Sequence, residues 1–157
     1  MIKLNRTTEY GLMALRYMSR KRSSTSPDEL TSAREIADLY GLPFEITAKT
    51  LQRLKDTGLI QSSQGARGGY HLQRSLNDIN LAEFLELMEG PQAVVACAKM
   101  EPHSTIPVAD HGCGYHSKCE MSHLLGNLNT RVLNFLSGIR LAELAEGPDT
   151  ADAGIEP

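Results

Sequence analysis

The sequence predicts a mainly α-helical chain that carries one small β-hairpin wing and closes on a long apolar helix. Three observations lead there. Apolar residues recur at helical spacing in five separate stretches. Two short runs of strand-forming residues flank a single Gly-rich turn, Gln64 to Gly69. Ser32 with Glu35, and Asn80 with Glu83, have the spacing of helix-opening capping boxes. With 157 residues, 41% of them apolar, the chain is long enough to bury a core.

The first helix is expected over 7–21, with Tyr10, Leu12, Met13, Leu15, Tyr17 and Met18 on one side and Arg16, Arg20, Lys21 and Arg22 on the other. The polar, Pro-bearing stretch from Ser23 to Asp28 reads as an exposed loop. A second helix opens at Ser32, buries Ile36, Ala37 and Leu39, and stops at Gly41. Pro43 suits the first position of a third helix running to Thr57, which turns Ile46, Leu51 and Leu54 inward. Its other side carries Glu45, Thr47, Lys49, Thr50, Gln52, Arg53 and Lys55. Two short helices joined by a Gly turn make a helix-turn-helix, whose second member can lie in a DNA major groove.

The strands Leu59–Ser63 and Tyr70–Gln73 complete a winged helix-turn-helix. Gly65, Gly68 and Gly69 allow the wing to pass close to phosphates, and Arg67 at its tip can enter a minor groove. Residues 1–80 hold 12 Lys and Arg against 8 Asp and Glu, while residues 81–157 hold 4 against 11. The basic half is therefore the candidate nucleic-acid face, with Thr47, Lys49, Thr50, Arg53, Lys55, Arg67, Gly68 and Gly69 as its contacts.

A fourth helix, Leu81 to Met88, ends at Glu89-Gly90-Pro91, and the chain to Lys118 shows no sustained period. A long loop in a compact chain is usually functional. It holds Cys97 and Cys113, with Cys119 just after it and His103, His111, His116 and His123 in and around it. Three thiols suit an iron–sulfur cluster, or zinc with one histidine. No Cys-x2-Cys pair is present, and an odd cysteine count argues against a disulfide framework. A thiol-dependent redox enzyme built on Cys119 and His116 lacks any accompanying nucleophile motif, phosphate loop or paired carboxylates, so no enzyme and no small-molecule substrate is expected.

A last long helix follows Cys119, with Ser117 and Glu120 as its capping box. Leu124, Leu125, Leu128, Val132, Leu133, Phe135, Leu136 and Ile139 form an apolar stripe too broad for one small core. It predicts a two-fold homodimer, which suits a double-stranded DNA operator made of two half-sites. The acidic, Ala/Gly/Pro-bearing tail 146–157 reads as disordered. The expected organisation is a DNA-binding domain 1–80, a connecting helix with the cysteine loop 81–120, a dimerisation helix with a short terminal helix 121–145, and the tail. No run of eighteen apolar residues and no signal-peptide pattern is present, which predicts a cytoplasmic protein without a membrane segment.

Three segments resemble the Rrf family of winged-helix iron–sulfur transcription regulators: Lys3-Leu4-Asn5-Arg6-Thr7-Thr8-Glu9-Tyr10-Gly11, Leu51-Gln52-Arg53-Leu54-Lys55-Asp56-Thr57-Gly58-Leu59-Ile60, and the wing Gly65-Ala66-Arg67-Gly68-Gly69-Tyr70-His71-Leu72. Glu89-Gly90-Pro91 and Gly138-Ile139-Arg140-Leu141-Ala142-Glu143-Leu144 look most like the branch that regulates SUF iron–sulfur assembly genes. The resemblance implies a repressor in which Cys97, Cys113 and Cys119 ligate a [2Fe–2S] or, less favoured, a [4Fe–4S] cluster that responds to redox, iron or nitric-oxide status. It also implies a fourth ligand at Glu9, His116 or His123. Three departures stand out: fifteen residues separate Cys97 from Cys113, more than the family places there; Ser122 stands where the family has a histidine three residues after the last cysteine, with His123 one further on; and Ala48 replaces a family glutamate.

Overall fold

The computed structural model describes residues 4–24, 30–65, 68–93 and 119–145. The elements run α1 (Arg6–Ser24), α2 (Ala33–Tyr40), α3 (Phe44–Asp56), β1 (Ile60–Ser63), β2 (Gly69–Leu72), a 3-10 turn (Leu76–Asp78), α4 (Leu81–Glu89), α5 (Ser122–Ser137) and α6 (Leu141–Ala145).

Helix α1 opens on Asn5, whose side-chain oxygen accepts from the backbone N–H and the hydroxyl of Thr8 at 2.8 and 3.0 Å. It runs three residues past Lys21, and over that extension the hydroxyls of Ser23 and Ser24 donate to the carbonyls of Ser19 and Arg20, one turn back. Halfway along, Gly11 marks where α1 crosses α3 and α4. A Cβ there would lie 3.2 Å from Met88 Cε and 3.6 Å from Leu54 Cδ2. The core forms around this crossing from Leu15, Ile36, Leu51, Leu54, Ile79 and Phe84.

The capping box that opens α2 forms as the sequence predicts, with Ser32 and Glu35 bonded reciprocally. Gly41 ends the helix at φ 64° and returns its N–H to Ala37 O, a left-handed conformation that a Cβ disfavours. Ile36 and Ala37 are buried, but Leu39 is 57% exposed, which corrects the expected inner face. The inner stripe of α2 is Ala33, Ile36, Ala37 and Tyr40, at i, i+3, i+4 and i+7, and Leu39 falls to one side of it. Pro43 is the N-cap of α3 and not its first helical residue. Its ψ of 124° is extended, while its carbonyl accepts the first helical bond from Thr47.

Strands β1 and β2 pair antiparallel from Ile60↔Leu72 to Ser63↔Gly69, so Gly69 belongs to the ladder and not to the turn. Thr31 adds a one-residue third strand, exchanging two 2.8 Å bonds with Tyr70. A Cβ on Gly69 would sit 3.0 Å from both Leu30 Cβ and Thr31 O, so the third strand requires glycine there.

Asn80 caps α4 through Glu83 N–H, as expected, and Gly90 ends it. Helix α5 packs along α4. It starts later than the sequence predicts, at Ser122, with Met121 at the N-cap and no side-chain cap bond. The Ser117–Glu120 box therefore does not open it, and Ser117 itself lies outside the described residues. Helix α6 returns to the first core and buries Leu141, Ala142 and Ala145 beside α1 and the 3-10 turn. Two backbone bonds fix this return, Leu81 N–H to Ile139 O at 2.8 Å and Leu141 N–H to Ile79 O at 2.9 Å. No helix among the described residues is long and apolar enough to cross a membrane.

Candidate nucleic-acid interface

The α2–α3 pair is held against α1 by a polar clamp. Lys21 Nζ donates to Glu35 Oε1 at 2.6 Å and to Leu30 O at 3.0 Å, and the Tyr17 hydroxyl donates to the same carboxylate oxygen. Burial opposes ionisation of Glu35, but the bonds from Lys21, Tyr17 and the Ser32 backbone outweigh it and hold the carboxyl below its usual range. Tyr17 also meets Tyr40 edge to face, with centroids 6.5 Å apart. The helix-turn-helix is thus oriented before any partner arrives.

Along α3 the structure divides the predicted contacts. Lys49, Arg53 and Lys55 are exposed. Thr47 and Thr50 are each 1% exposed, which corrects their assignment to the groove-facing side. Their hydroxyls donate to Pro43 O and Ile46 O, one turn back, at 3.0 and 2.8 Å. With that donor satisfied internally, each threonine packs as its methyl does. Residues 47, 50, 51 and 54 make one inner stripe at i, i+3, i+4 and i+7, a spacing legible in the sequence once threonine is counted as apolar. The outward row is Glu45, Lys49, Gln52 and Asp56, with Gln52 donating to Asp56 at 2.7 Å. Gln52, placed by the sequence off the core without a role, sits mid-row, and its amide has the donor–acceptor pair that adenine presents a match for in a major groove.

The cations sort by what already holds them. Lys21 is bound to Glu35, and Arg74 donates to Glu83 at 2.6 Å, a bond that raises its pKa, and to Asp78 O at 3.3 Å. Arg53 donates to Leu87 O at 3.3 Å from an otherwise exposed position. Among the described residues Lys49 and Lys55 have no carboxylate partner, so their charge is available to phosphates.

In the wing, Gly68 N–H donates to Gly65 O at 3.0 Å, and a Cβ on Gly68 would stand 2.9 Å from Ser63 O. Closing the tight turn already demands glycine there. Arg67 lies outside the described residues, as do Cys97, Cys113, His116 and the tail 146–157. Cys119 is half-buried just ahead of α5, while Glu9 and His123 are exposed on the first turns of α1 and α5. Within one chain the described residues do not bring Glu9, Cys119 and His123 together as a three-ligand group.

Helix α5 presents Met121, Leu124, Leu128 (45% exposed) and Phe135 (70% exposed) away from α4. These positions follow a heptad spacing, i, i+3, i+7 and i+14.

Comparison with known proteins agrees with this architecture. The chain is 29% identical over 138 residues to a protein of Aquifex aeolicus assigned to the HTH-type transcriptional regulators, covering 88% of each. It is 24% identical over 143 residues to the HTH-type transcriptional repressor NsrR of Streptomyces coelicolor, covering 91% of this chain and 90% of NsrR. The structure of CymR, the global cysteine regulator of B. subtilis, superposes with a TM-score of 0.66 at 22% identity, covering 95% of this chain and all of CymR, and so shares the winged-helix fold. These relatives are transcriptional regulators and not enzymes. The Rrf2 family, described as an iron-dependent transcriptional regulator, matches residues 4–147, and the chain belongs to that family of DNA-binding regulators.

Proposed function

We propose that this regulator is a cytoplasmic homodimeric repressor of iron–sulfur assembly genes, of the SUF-regulating kind, whose operator affinity is set by an iron–sulfur cluster held on Cys97, Cys113 and Cys119. The observation that carries the reading is continuity along the chain. Cys119 stands two residues before Met121, the first of the exposed apolar row on α5. A ligand fixed at Cys119 is therefore attached almost directly to the helix that positions two DNA-binding heads.

The donor set fits the group: three thiols are soft ligands suited to iron, and Cys119 is neither sunk in the core nor fully exposed. [2Fe–2S] is favoured over [4Fe–4S]. When bound, the cluster would supply a centre whose oxidation, nitrosylation or loss alters the geometry demanded of its thiolates. Glu9, His116 or His123 would complete the ligand set. Asn5 N–H donates to Glu89 Oε1 at 3.0 Å and so holds the start of α1, with Glu9 one turn further on, at the root of the cysteine loop. On the duplex, Lys49, Arg53 and Lys55 would bind along α3 and Arg67, Gly68 and Gly69 along the wing, within a head formed by residues 1–80. Segment 81–120 would carry the ligands and 121–145 the dimer contact. Regulation of about 5- to 150-fold requires a coupling of roughly 1–3 kcal/mol between cofactor and operator.

Anaerobic purification followed by iron, sulfide and zinc quantification tests the cofactor, and DNA titrations of loaded and stripped protein test its effect. Iron and sulfide in equal amounts, lost in the Cys→Ser variants together with a change in operator affinity, are expected. Stoichiometric zinc without sulfide points instead to a metal-stabilised module without sensing. Operator affinity indifferent to cluster loss removes the sensing role.

A further inference from the structure

At the corner of the helix-turn-helix, Arg34 and Phe44 make an arrangement that the core does not require. Arg34 is the second residue of α2 and Phe44 the first of α3. The guanidinium carbon lies 4.5 Å from the Phe44 ring centroid, and with that cation over it the residue is still 42% exposed. Asp38, one turn along α2, forms no ion pair with Arg34, and no other described carboxylate does. Arg34 thus keeps its full charge, and Phe44 keeps apolar surface facing outward where the groove-facing helix begins.

We propose that the two side chains form one reading unit for double-stranded DNA, in which the Phe44 ring packs on a thymine methyl group in the major groove and Arg34 binds the neighbouring backbone phosphate. The proposal rests on α3 being the helix that enters the groove. In that docking mode the first residues of the recognition helix reach base edges, while the preceding helix crosses the phosphate backbone. Thymine is the only base that offers an apolar group at the major-groove edge, and phenylalanine is among the side chains that meet it. Stacking occupies one face of the guanidinium and leaves its N–H donors free around the rim, in the plane a phosphate needs. The ring therefore does two things: it supplies apolar contact to the base, and it limits the rotamers of a long cation that would otherwise lose entropy on binding.

The test starts from duplexes that the dimer enriches from a randomised pool. Each thymine of the enriched half-site is replaced by deoxyuridine, which removes only the methyl. At one thymine position the loss for the wild-type protein should be about fourfold for each half-site changed, the value of burying one methyl-sized group. Phe44→Ala should bind the thymine and deoxyuridine duplexes equally, and Phe44→Leu should keep part of the difference. Arg34→Ala should leave base preferences intact and lower the slope of log affinity against log salt by about 0.9 per half-site, with Arg34→Lys retaining it. Because both side chains are exposed and share only one surface cation–π contact, melting temperatures should stay within a few degrees of wild type. Indifference to methyl removal at every thymine, or an unchanged Phe44→Ala methyl response, overturns the reading unit, as does an unaltered Arg34→Ala salt slope. Failure of the wild-type protein to enrich any duplex overturns the groove assignment of α3 along with it.

Discussion

Glu35 shows how much one side chain can join. Its carboxylate completes the capping box at Ser32 and accepts from Tyr17 and Lys21 on α1, so a single residue both starts α2 and fixes it to the neighbouring helix. The sequence shows the first role, because Ser-x-x-Glu is a local pattern, and hides the second, because Tyr17 is eighteen residues away. The folded carboxyl titrates below its usual value, so the clamp contributes stability above the unfolded pKa near 4.3, and the contribution is lost as pH falls through the lower folded value. The melting temperature of the wild-type protein should therefore exceed that of Glu35→Gln by its full margin at pH 6 to 7. The margin should shrink as pH drops from about 5 toward 3. Melting curves of both proteins across that range check the sign, since other carboxylates affect the two alike; a margin that grows on acidification contradicts it.

At the scale of elements, the parts legible in the sequence are those whose signal is local. The caps at Ser32 and Asn80, the stop at Gly41 and the hairpin each depend on neighbours within a few residues. Elements shaped by distant contacts were less legible. Thr47 and Thr50 look like groove-facing residues by polarity and prove to be core by hydrogen bonding. Gly69 looks like turn chemistry, yet its lack of a side chain admits Thr31 as a third strand, a pairing across 39 residues that no hairpin pattern reveals. Substituting Gly69→Ala should force Leu30 and Thr31 away and cost about 1–3 kcal/mol, in the range of overpacking a filled site. Denaturant unfolding measures that loss. An unchanged midpoint would mean that the Thr31 bridge does not constrain the wing.

For the whole molecule, the sequence separates a basic front from an acidic back but does not show that the chain end returns to the front. Leu141 and Ala142 of α6 bury in the same core as Leu15, so α5 is anchored at its C-terminal end to the head that would bind DNA. Its inner side lies on α4, and its outer row of Met121, Leu124, Leu128 and Phe135 has the heptad spacing that a second copy of the helix would fill. The double substitution Leu128→Glu with Phe135→Glu places charges at two exposed positions, so it should leave the fold of each chain intact. It should also oppose pairing by burying like charges in the proposed dimer contact. Sedimentation should then report a monomer with a wild-type far-ultraviolet spectrum. On the enriched duplex the salt slope should fall to about half, because only one head neutralises phosphates. Losing the second half-site should weaken binding far more than any single contact does, since the linked second head otherwise binds at a high effective concentration. A double variant that still sediments as a dimer places the interface elsewhere on the chain. A true monomer that binds the full site as tightly as wild type removes the two-fold geometry, because nothing would then connect the packing of α5 to occupancy of the operator.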